Sequence, residues 1–334
     1  MPGFGFSIPY NNNIETLKII ESKFEDRPNG NKIENIYLSA PQEYFGSGRI
    51  VKGIDLKHLK EVISFCKKVN CGVNVVFNST CEDVEWYSSR FVSKTLFIVK
   101  KLNELGVNTI TLANPLFIKK VREKIKNIEI VASAFCDIDS LERAKYYENL
   151  GASEIVPNGI NRDFKTLETI KSSTDLKIRL MVNEGCLWQC PYRIAHTNYT
   201  SHASRKGTDI LDFPSMACVY ERVKDPVVLL KSEWIRPEDL KFYKKITTKF
   251  KIVGRTMSSE WINNVVGFYL NESFDGNLLE ILESATPVYL KIKPTVIDNK
   301  QLNGFLEKVI NCKRNCTECD YCDEMSKKVI KFIQ

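Results

Sequence analysis

The sequence predicts an α/β protein of the (β/α)8 barrel class, also called the TIM barrel. Short runs rich in β-branched and other apolar residues alternate eight times with stretches that have the apolar spacing of amphipathic helices. These runs are almost continuously apolar, which is typical of parallel strands buried on both faces. The span from residue 5 to about residue 271 also agrees with the ~250 residues of such a barrel. A doubly wound open sheet is the alternative, but no Gly-x-Gly-x-x-Gly motif follows the first run.

The strands and helices can be placed in order along the chain. The predicted strands cover residues 5–10, 35–40, 73–78, 109–113, 129–134, 154–157, 177–182 and 250–254. The helices between them have apolar residues three or four positions apart, as in Leu141, Ala144, Tyr147 and Leu150. Gly151 follows this helix at the position where glycine commonly ends one. The polar residues after each strand are expected to meet at one rim of the barrel.

The connection after the seventh strand is longer than this regular alternation predicts. About fifty residues separate this strand from a helix predicted to begin near Pro237. A loop of this length in a compact domain is usually functional or disordered, and its aromatic, histidine and cysteine content favours a functional loop. We therefore divide the chain into a barrel domain at 1–275 and an extension at 276–334. In the extension we predict helices at 278–283 and 302–310, a strand at 288–292 and a cysteine-rich tail.

Composition limits where the protein works. Hydrophobic residues make up 43% and charged residues 27% of the chain, and no apolar run approaches the ~18 residues that span a bilayer. The first residues lack the basic and apolar regions of a secretory signal, so we expect a cytoplasmic protein without a membrane partner. In a reducing cytosol the eleven cysteines favour metal or redox roles over disulfides. A net charge of +7 without a dense basic stripe permits an RNA partner but does not require one.

The tail contains four closely spaced cysteines, Cys312, Cys316, Cys319 and Cys322. Thiols two residues apart can hold several irons of one 4Fe-4S cluster, as in bacterial ferredoxins. A zinc site with four thiolates is the alternative, although zinc usually takes its ligands as two separated pairs. The first three also have the spacing of radical S-adenosylmethionine enzymes, but those cysteines follow the first strand of a barrel. A tail site is therefore predicted to be structural or an electron relay.

The loop after the seventh strand contains a second set, Cys186, Cys190 and Cys218. Three thiolates at the mouth of a barrel can hold a 4Fe-4S cluster and leave one iron without a protein thiolate. Cys81 follows the third strand and is the first candidate for the fourth ligand, and Cys136, after the fifth strand, is the second. The alternative is that the loop cysteines only pack. One or two clusters are thus expected in the chain.

Basic residues near the loop cysteines are the candidate catalytic groups. Arg193, His196 and His202 follow Cys190 closely, and Arg255 follows the eighth strand. Histidines can act as general acids, general bases or ligands, and arginines can hold carboxylates. We expect these four side chains to hold an anionic co-substrate or to move protons.

Three stretches of this sequence, at residues 183–186, 234–240 and 250–258, resemble peptidase family U32, the collagenase-like peptidases. Residues 183–186 (Asn-Glu-Gly-Cys) resemble that family's strand, glycine and cysteine signature, and residues 234–240 resemble its leucine-rich helix. Residues 250–258 resemble its Lys-Ile-Glu-Gly-Arg-Met-Lys-Ser segment. Two departures are clear: Val253 replaces the glutamate, and Ile235 or its neighbour replaces a later cysteine that serves relatives as a ligand.

The resemblance implies a barrel with a 4Fe-4S cluster, in a family whose better understood members assist oxygen-independent hydroxylation of ubiquinone precursors or RNA bases. We therefore expect an iron-sulfur dependent oxidoreductase or hydroxylase acting on an RNA base, a peptide or a small aromatic substrate. A peptidase is the alternative, but the sequence lacks His-Glu-x-x-His and no Ser/His/Asp or Cys/His arrangement is evident from it. A second alternative is a non-catalytic subunit that works with a second barrel subunit or an electron donor.

Overall fold

The computed structural model describes residues 3–51, 53–207 and 213–333, and its centre is a closed barrel of eight parallel strands in sequence order. The strand β8 closes the barrel on β1, with Gly5 opposite Lys249 and Ser7 opposite Lys251. The predicted fold class is confirmed. The strands are β1 (Gly5–Pro9), β2 (Lys32–Ser39), β3 (Gly72–Phe77), β4 (Thr109–Leu112), β5 (Glu129–Ala132), β6 (Glu154–Ile155), β7 (Lys177–Met181) and β8 (Lys249–Lys251).

Helices surround the barrel, and most begin at a side-chain cap. Asn13, Asp55, Ser88, Asn114 and Ser258 each accept a hydrogen bond from a backbone N–H in the first turn that follows. These helices bury apolar faces against the strands in one large core. They are α1 (Ile14–Ile20), α2 (Leu56–Lys68), α3 (Ser89–Glu104), α4 (Pro115–Lys124), α5 (Leu141–Asn149), α6 (Phe164–Ser173) and α10 (Ser259–Leu270). None of the described helices is long and apolar enough to cross a membrane.

The connection after β7 is not the long loop that we predicted. It folds into α7 (Arg193–Lys206), α8 (Phe213–Lys224) and α9 (Val228–Lys231), followed by a 3-10 helix at Pro237–Tyr243. The buried face of α7 consists of Thr197, Thr200, Ser201, Ala203 and Ser204 rather than large apolar residues. Ser201 and Ser204 accept hydrogen bonds from the backbone of the loops after β3 and β2. Because this helix docks through hydroxyl groups, apolar periodicity does not detect it.

The extension after the barrel contains one further error of prediction. Residues predicted as a strand at 288–292 form α11 (Thr286–Ile292), which has Pro287 in its first turn. The added sheet is instead an antiparallel pair of β9 (Thr295–Ile297) and β10 (Ile330–Phe332). The remaining elements are 3-10 helices at Leu278–Ile281 and Asn299–Leu302, α12 (Phe305–Val309) and α13 (Tyr321–Val329). The division at residue 275 stays a prediction.

Polar side chains fill the lower interior of the barrel. Arg179 on β7 donates to Glu154 at 2.6 Å and to Glu34 at 2.8 Å, and Lys249 on β8 donates to Glu34 at 2.8 Å. These charges are paired and largely buried, which is the condition under which a barrel interior tolerates them. The network closes the end of the barrel opposite the carboxyl ends of the strands.

Candidate functional site

The exit of β7 is held in place by one buried amide. The Asn183 side chain donates to the carbonyl oxygens of Val253 at 3.0 Å and Ile281 at 3.1 Å, and it accepts from the Val253 N–H at 2.7 Å. Position 185, two residues after Asn183, must be glycine. A Cβ there would lie 2.4 Å from Thr286 Oγ1 and 2.8 Å from the Glu283 carbonyl oxygen. This tight packing fixes the backbone position of Cys186 at the barrel mouth.

Cys186 lies among charged groups. Its thiol donates to Ser284 Oγ at 3.3 Å. Burial and the neighbouring Glu184 raise the pKa of the Cys186 thiol to about 12, although Arg49 and Arg193 oppose this rise. The thiol is therefore protonated at neutral pH unless a metal displaces its proton. A reactive free thiolate, by contrast, requires a lowered pKa.

Cys190 and Cys218 complete the loop set. Burial raises the pKa of the Cys218 thiol; Arg222 opposes the rise, and Cys190 adds to it. The two thiols are thus near enough to influence each other, and Cys218 also interacts with the backbone of Leu187, next to Cys186. The structure brings the three predicted loop cysteines to one region, between the exit of β7 and α8.

Arg222, one turn after Cys218 on α8, is completely buried. Its Nη2 donates to the Gly185 carbonyl oxygen. Its Nε and Nη1 have no hydrogen-bond partner within the described part of the chain. Buried cationic N–H groups without partners are costly, so a group that accepts their hydrogen bonds would stabilise this arrangement.

A cavity of about 420 Å³ opens beside these cysteines. Its lining includes Cys136, Asp137, Cys186, Cys190 and Arg193. Arg193 Nε donates to Asp137 at 2.8 Å, and its guanidinium lies 5.7 Å from the centre of the Phe135 ring. Arg193 is therefore held rigidly on the wall of the cavity, where it can contact an anionic ligand.

The other predicted catalytic residues lie in three separate places. Arg255 is buried within the barrel mouth, where it donates to Ser39 Oγ at 2.7 Å and to Ser47 Oγ at 3.1 Å. His196 on α7 lies 3.2 Å from Ser215 Oγ on α8. His202 is exposed on a different part of α7, and its Nδ1 lies 2.9 Å from Asp83. The structure thus does not bring the two histidines together with Arg255.

Cys81, the first candidate for the fourth ligand, lies with Asp83 and His202. One ligand atom from each of the three residues lies within 4.8 Å of the others. Among the described histidines, cysteines and carboxylates, no other set of three is this close. Cys136, the second candidate, lines the cavity, and its buried thiol donates to the Ala113 carbonyl oxygen at 3.3 Å. The ligand set stays a prediction.

Sequence reasoning missed Lys251, the last residue of β8. Its ammonium lies 4.2 Å from the centre of the Tyr37 ring, and the side chain lines a small cavity of about 40 Å³ with Glu184, Arg255 and Glu283. Burial, with Arg255 and Arg179 nearby, lowers the pKa of Lys251 to about 7. The sequence contained one signal for this residue. Lys249 and Lys251 are two positions apart on a short strand, so both side chains point to the same face, which is the inside of the barrel.

Comparison with known proteins assigns the family. The profile of "Peptidase family U32" matches residues 29–201. The chain is also 31% identical over 338 residues to "Uncharacterized protease MJ1657" of Methanocaldococcus jannaschii, covering 98% of this chain and 99% of that protein. The chain belongs to peptidase family U32. The solved structure titled "The Structure of the U32 Peptidase Mk0906" shares the fold with a TM-score of 0.55 at 16% identity, covering 76% of this chain and 93% of that one.

The U32 profile spans only part of the candidate site. Cys81, Cys136, Cys186 and Cys190 lie inside the matched residues 29–201, as does Arg193. Cys218, Arg222 and the four tail cysteines lie beyond them. The match to the M. jannaschii relative covers nearly the whole chain, so the extension is not peculiar to this protein.

Proposed function

We propose that this U32 protein is an iron-sulfur enzyme that carries out an oxygen-independent, hydroxylation-type redox modification. In this proposal Cys186, Cys190 and Cys218 hold a 4Fe-4S cluster at the barrel mouth. The observation that carries the proposal is the position of buried Arg222, whose Nε and Nη1 lack partners beside Cys218 within the described residues. A cluster bound by thiolates is anionic, so it would balance the positive charge of Arg222. Its sulfurs accept hydrogen bonds, so they would also pair with the Nε and Nη1 groups.

The spacing of the loop thiols also supports a cluster over a single ion. A zinc ion with bonds of about 2.3 Å brings its sulfurs to roughly 4 Å of one another. The three loop thiols are not all within 4.8 Å, since the Cys81 group alone among the described residues meets that limit. A four-iron cube separates its ligands more widely than one ion does. Three thiolates would leave one iron accessible, and Cys81 and Cys136 remain the candidates to complete the set.

The residues around the cavity suit a polar or anionic substrate. A cavity of about 420 Å³ is of the size that holds small-molecule ligands, and it would admit a nucleobase, a side chain of a peptide or a small aromatic compound. Arg193 would hold an anionic group at the wall. Lys251 lines the separate cavity of about 40 Å³, which shares Glu184 with the larger one; with a pKa of about 7, it could take up or release a proton near neutral pH. When bound, the cluster would supply an electron-accepting or Lewis-acidic iron.

The reaction class also implies a partner. A hydroxylation that takes its oxygen from water releases two electrons and two protons, so an electron acceptor must remove those electrons. We propose a redox protein or a second barrel subunit for this role. The alternative in which the chain is itself a non-catalytic subunit would give clusters but no activity without that second barrel.

The test begins with anaerobic reconstitution of the whole chain with ferrous iron and sulfide. We expect the broad visible absorbance of an iron-sulfur protein and a loss of bound iron in Cys186→Ala. Cys66→Ala is the matched control, because it removes a buried thiol on α2, far from the mouth, and should keep the full iron content. Cys81→Ala and Cys136→Ala then identify the fourth ligand by the iron that each loses. A chain that remains colourless after reconstitution would refute the proposal.

A peptidase is the second candidate, and one observation favours it. Cys81, His202 and Asp83 place a thiol, an imidazole and a carboxylate together, which is the set that cysteine peptidases use. This set lies apart from the loop cysteines. Peptide hydrolysis that survives chelation and Cys186→Ala but is abolished by Cys81→Ala and by His202→Ala would establish this function in place of the first.

A further inference from the structure

The cysteine tail is docked against the barrel by stacked rings and one backbone hydrogen bond. Phe305 on α12 stacks between Trp234, at 5.6 Å between ring centres, and Tyr321 on α13, at 6.0 Å. The Asn311 N–H donates to the Arg162 carbonyl oxygen at 2.8 Å. Both ends of the segment from Cys312 to Cys322 are therefore anchored, while Cys312, Cys316 and Cys319 themselves are exposed.

Two of the tail thiols lie near a third in this segment. Cys312 and Cys316 are close enough to Cys322 for their charges to act on its thiol. Cys312 Sγ accepts a hydrogen bond from the Arg314 N–H at 3.4 Å. Backbone N–H donors to sulfur are a regular feature of iron-sulfur sites because they offset the negative charge of the thiolates. No three of these four sulfurs lie within 4.8 Å of each other, a separation wider than a single zinc ion holds.

Arg162 is buried beneath this segment without enough partners. The residue is 3% exposed, and its guanidinium lies 4.7 Å from the Trp234 ring centre and 5.2 Å from that of Phe305. Its Nη1 donates to the Leu230 carbonyl oxygen at 2.7 Å, whereas Nε and Nη2 have no partner among the residues that the structure describes. Glu233 is the charge that acts most strongly on Arg162, and the charges of Arg162 and Cys322 also affect each other. Arg162 near the tail thiols therefore resembles Arg222 near the loop thiols: each is a buried guanidinium with two nitrogens that have no hydrogen-bond partner among the described residues.

We infer that Cys312, Cys316, Cys319 and Cys322 bind a second 4Fe-4S cluster, and that Arg162 supports it with a buried positive charge and two N–H donors. Four thiolates fill the coordination of such a cluster, so this site transfers electrons or stabilises the tail and binds no substrate. It adjoins the mouth, because Arg314, between Cys312 and Cys316, lies 4.5 Å from the ring centre of Trp188, between Cys186 and Cys190. The inference does not depend on the proposed function.

Iron and sulfide counts on the full chain test this inference. After anaerobic reconstitution with ferrous iron and sulfide, we expect about eight irons per chain from two four-iron clusters. The tail variant Cys316→Ser/Cys319→Ser should lose half of the iron, Cys186→Ala the other half, and the combined variant all of it. Loss in the tail variant alone would sustain the inference while refuting the proposed mouth cluster. A tail variant that keeps all its iron, or one zinc per chain that only this variant loses, would overturn the inference.

The role of Arg162 has its own readout. In the Cys186→Ala background, where the tail cluster alone remains, we expect Arg162→Gln to lower the reduction potential, because the lost positive charge no longer favours the more negative, reduced cluster. Arg162→Lys should restore most of the potential, and Arg122→Gln, on α4, should leave it unchanged. The potential is followed by electron paramagnetic resonance, with circular dichroism as a check of folding. An equal potential in folded Arg162→Gln and the parent would refute the role of Arg162.

Discussion

Replacing Lys251 by methionine should stabilise the protein, and by an amount that depends on pH. Lys249 and Lys251 both lie inside the barrel on β8, but their surroundings differ. Lys249 Nζ lies 2.8 and 2.9 Å from the two carboxylate oxygens of Glu34. Lys251 packs against the Tyr37 ring and has no ion pair within the described part of the chain. Burying the unpaired ammonium of Lys251 therefore lowers the stability of the folded protein, whereas the ammonium of Lys249 is compensated by its ion pair with Glu34.

The magnitude follows from the pKa. Burial lowers the pKa of Lys251 from its usual 10.5 to about 7. At about 1.4 kcal/mol for each pKa unit, this difference corresponds to a cost on the order of 5 kcal/mol at and below neutral pH. The unfolded chain binds more protons than the folded one between these two pKa values, so the stability of the wild type rises with pH across that window. The cost is fully present below about pH 7 and vanishes near pH 10.5.

Urea unfolding followed by tryptophan fluorescence measures this effect. The free energy of unfolding of Lys251→Met should exceed that of the wild type by several kcal/mol near neutral pH, and the gap should close as the pH rises. Lys249→Met is the matched control: it removes an ion pair on the same strand and should destabilise the protein at neutral pH. A gap between Lys251→Met and the wild type that does not change with pH would show that this lysine is not a buried cation.

Three further predictions concern the barrel and the residues around its mouth. Arg179→Met leaves the buried carboxylate of Glu154 without its ion pair, while Glu34 keeps Lys249, and should lower the free energy of unfolding by about 3 to 5 kcal/mol, measured by urea unfolding at neutral pH. Burial alone would raise the pKa of Glu34, but its cationic partners outweigh this and hold that pKa below its usual 4.5. The wild type should therefore lose stability as the pH falls below that value, and thermal melts of Glu34→Gln should show a smaller loss. At Gly254, φ is +146° and an added Cβ would lie only 2.5 Å from Trp261 Cζ3; at Gly304, φ is +84° and nothing lies within 4 Å of an added Cβ. Gly254→Ala should therefore lower the stability more than Gly304→Ala does. Equal melting temperatures for these two variants would contradict the steric argument.

The barrel could be predicted because the pattern of apolar residues identifies its strands and its outer helices. Strands buried on both faces are almost purely apolar, and helices such as α2 bury one stripe, as Leu59, Val62 and Ile63 do. The helix α7 could not be predicted, because it docks through serine and threonine hydroxyls that look like loop residues. The error at residues 288–292 has a related cause, since a short apolar run fits a strand and a helix equally well.

The candidate site was visible only where spacing carries information. The two cysteine sets stand out by their short intervals, and the loop set does come together near the barrel mouth. Arg222 and Arg162 could not be found in the sequence, because their significance lies in buried N–H groups that have no hydrogen-bond partner among the described residues. The grouping of Cys81 with His202 was equally hidden, since it depends on how α7 crosses the loop after β3. Contacts between residues distant in the chain leave no local pattern.

The proposed 4Fe-4S cluster on the loop cysteines at the barrel mouth can be detected by Mössbauer spectroscopy. The protein to use is the Cys316→Ser/Cys319→Ser variant, in which the tail site is removed, after anaerobic reconstitution with the Mössbauer-active isotope of iron. We predict the spectrum of one four-iron cluster per chain, absent when Cys186→Ala is added. A variant that binds no iron, or whose iron is unaffected by Cys186→Ala, would contradict the claim.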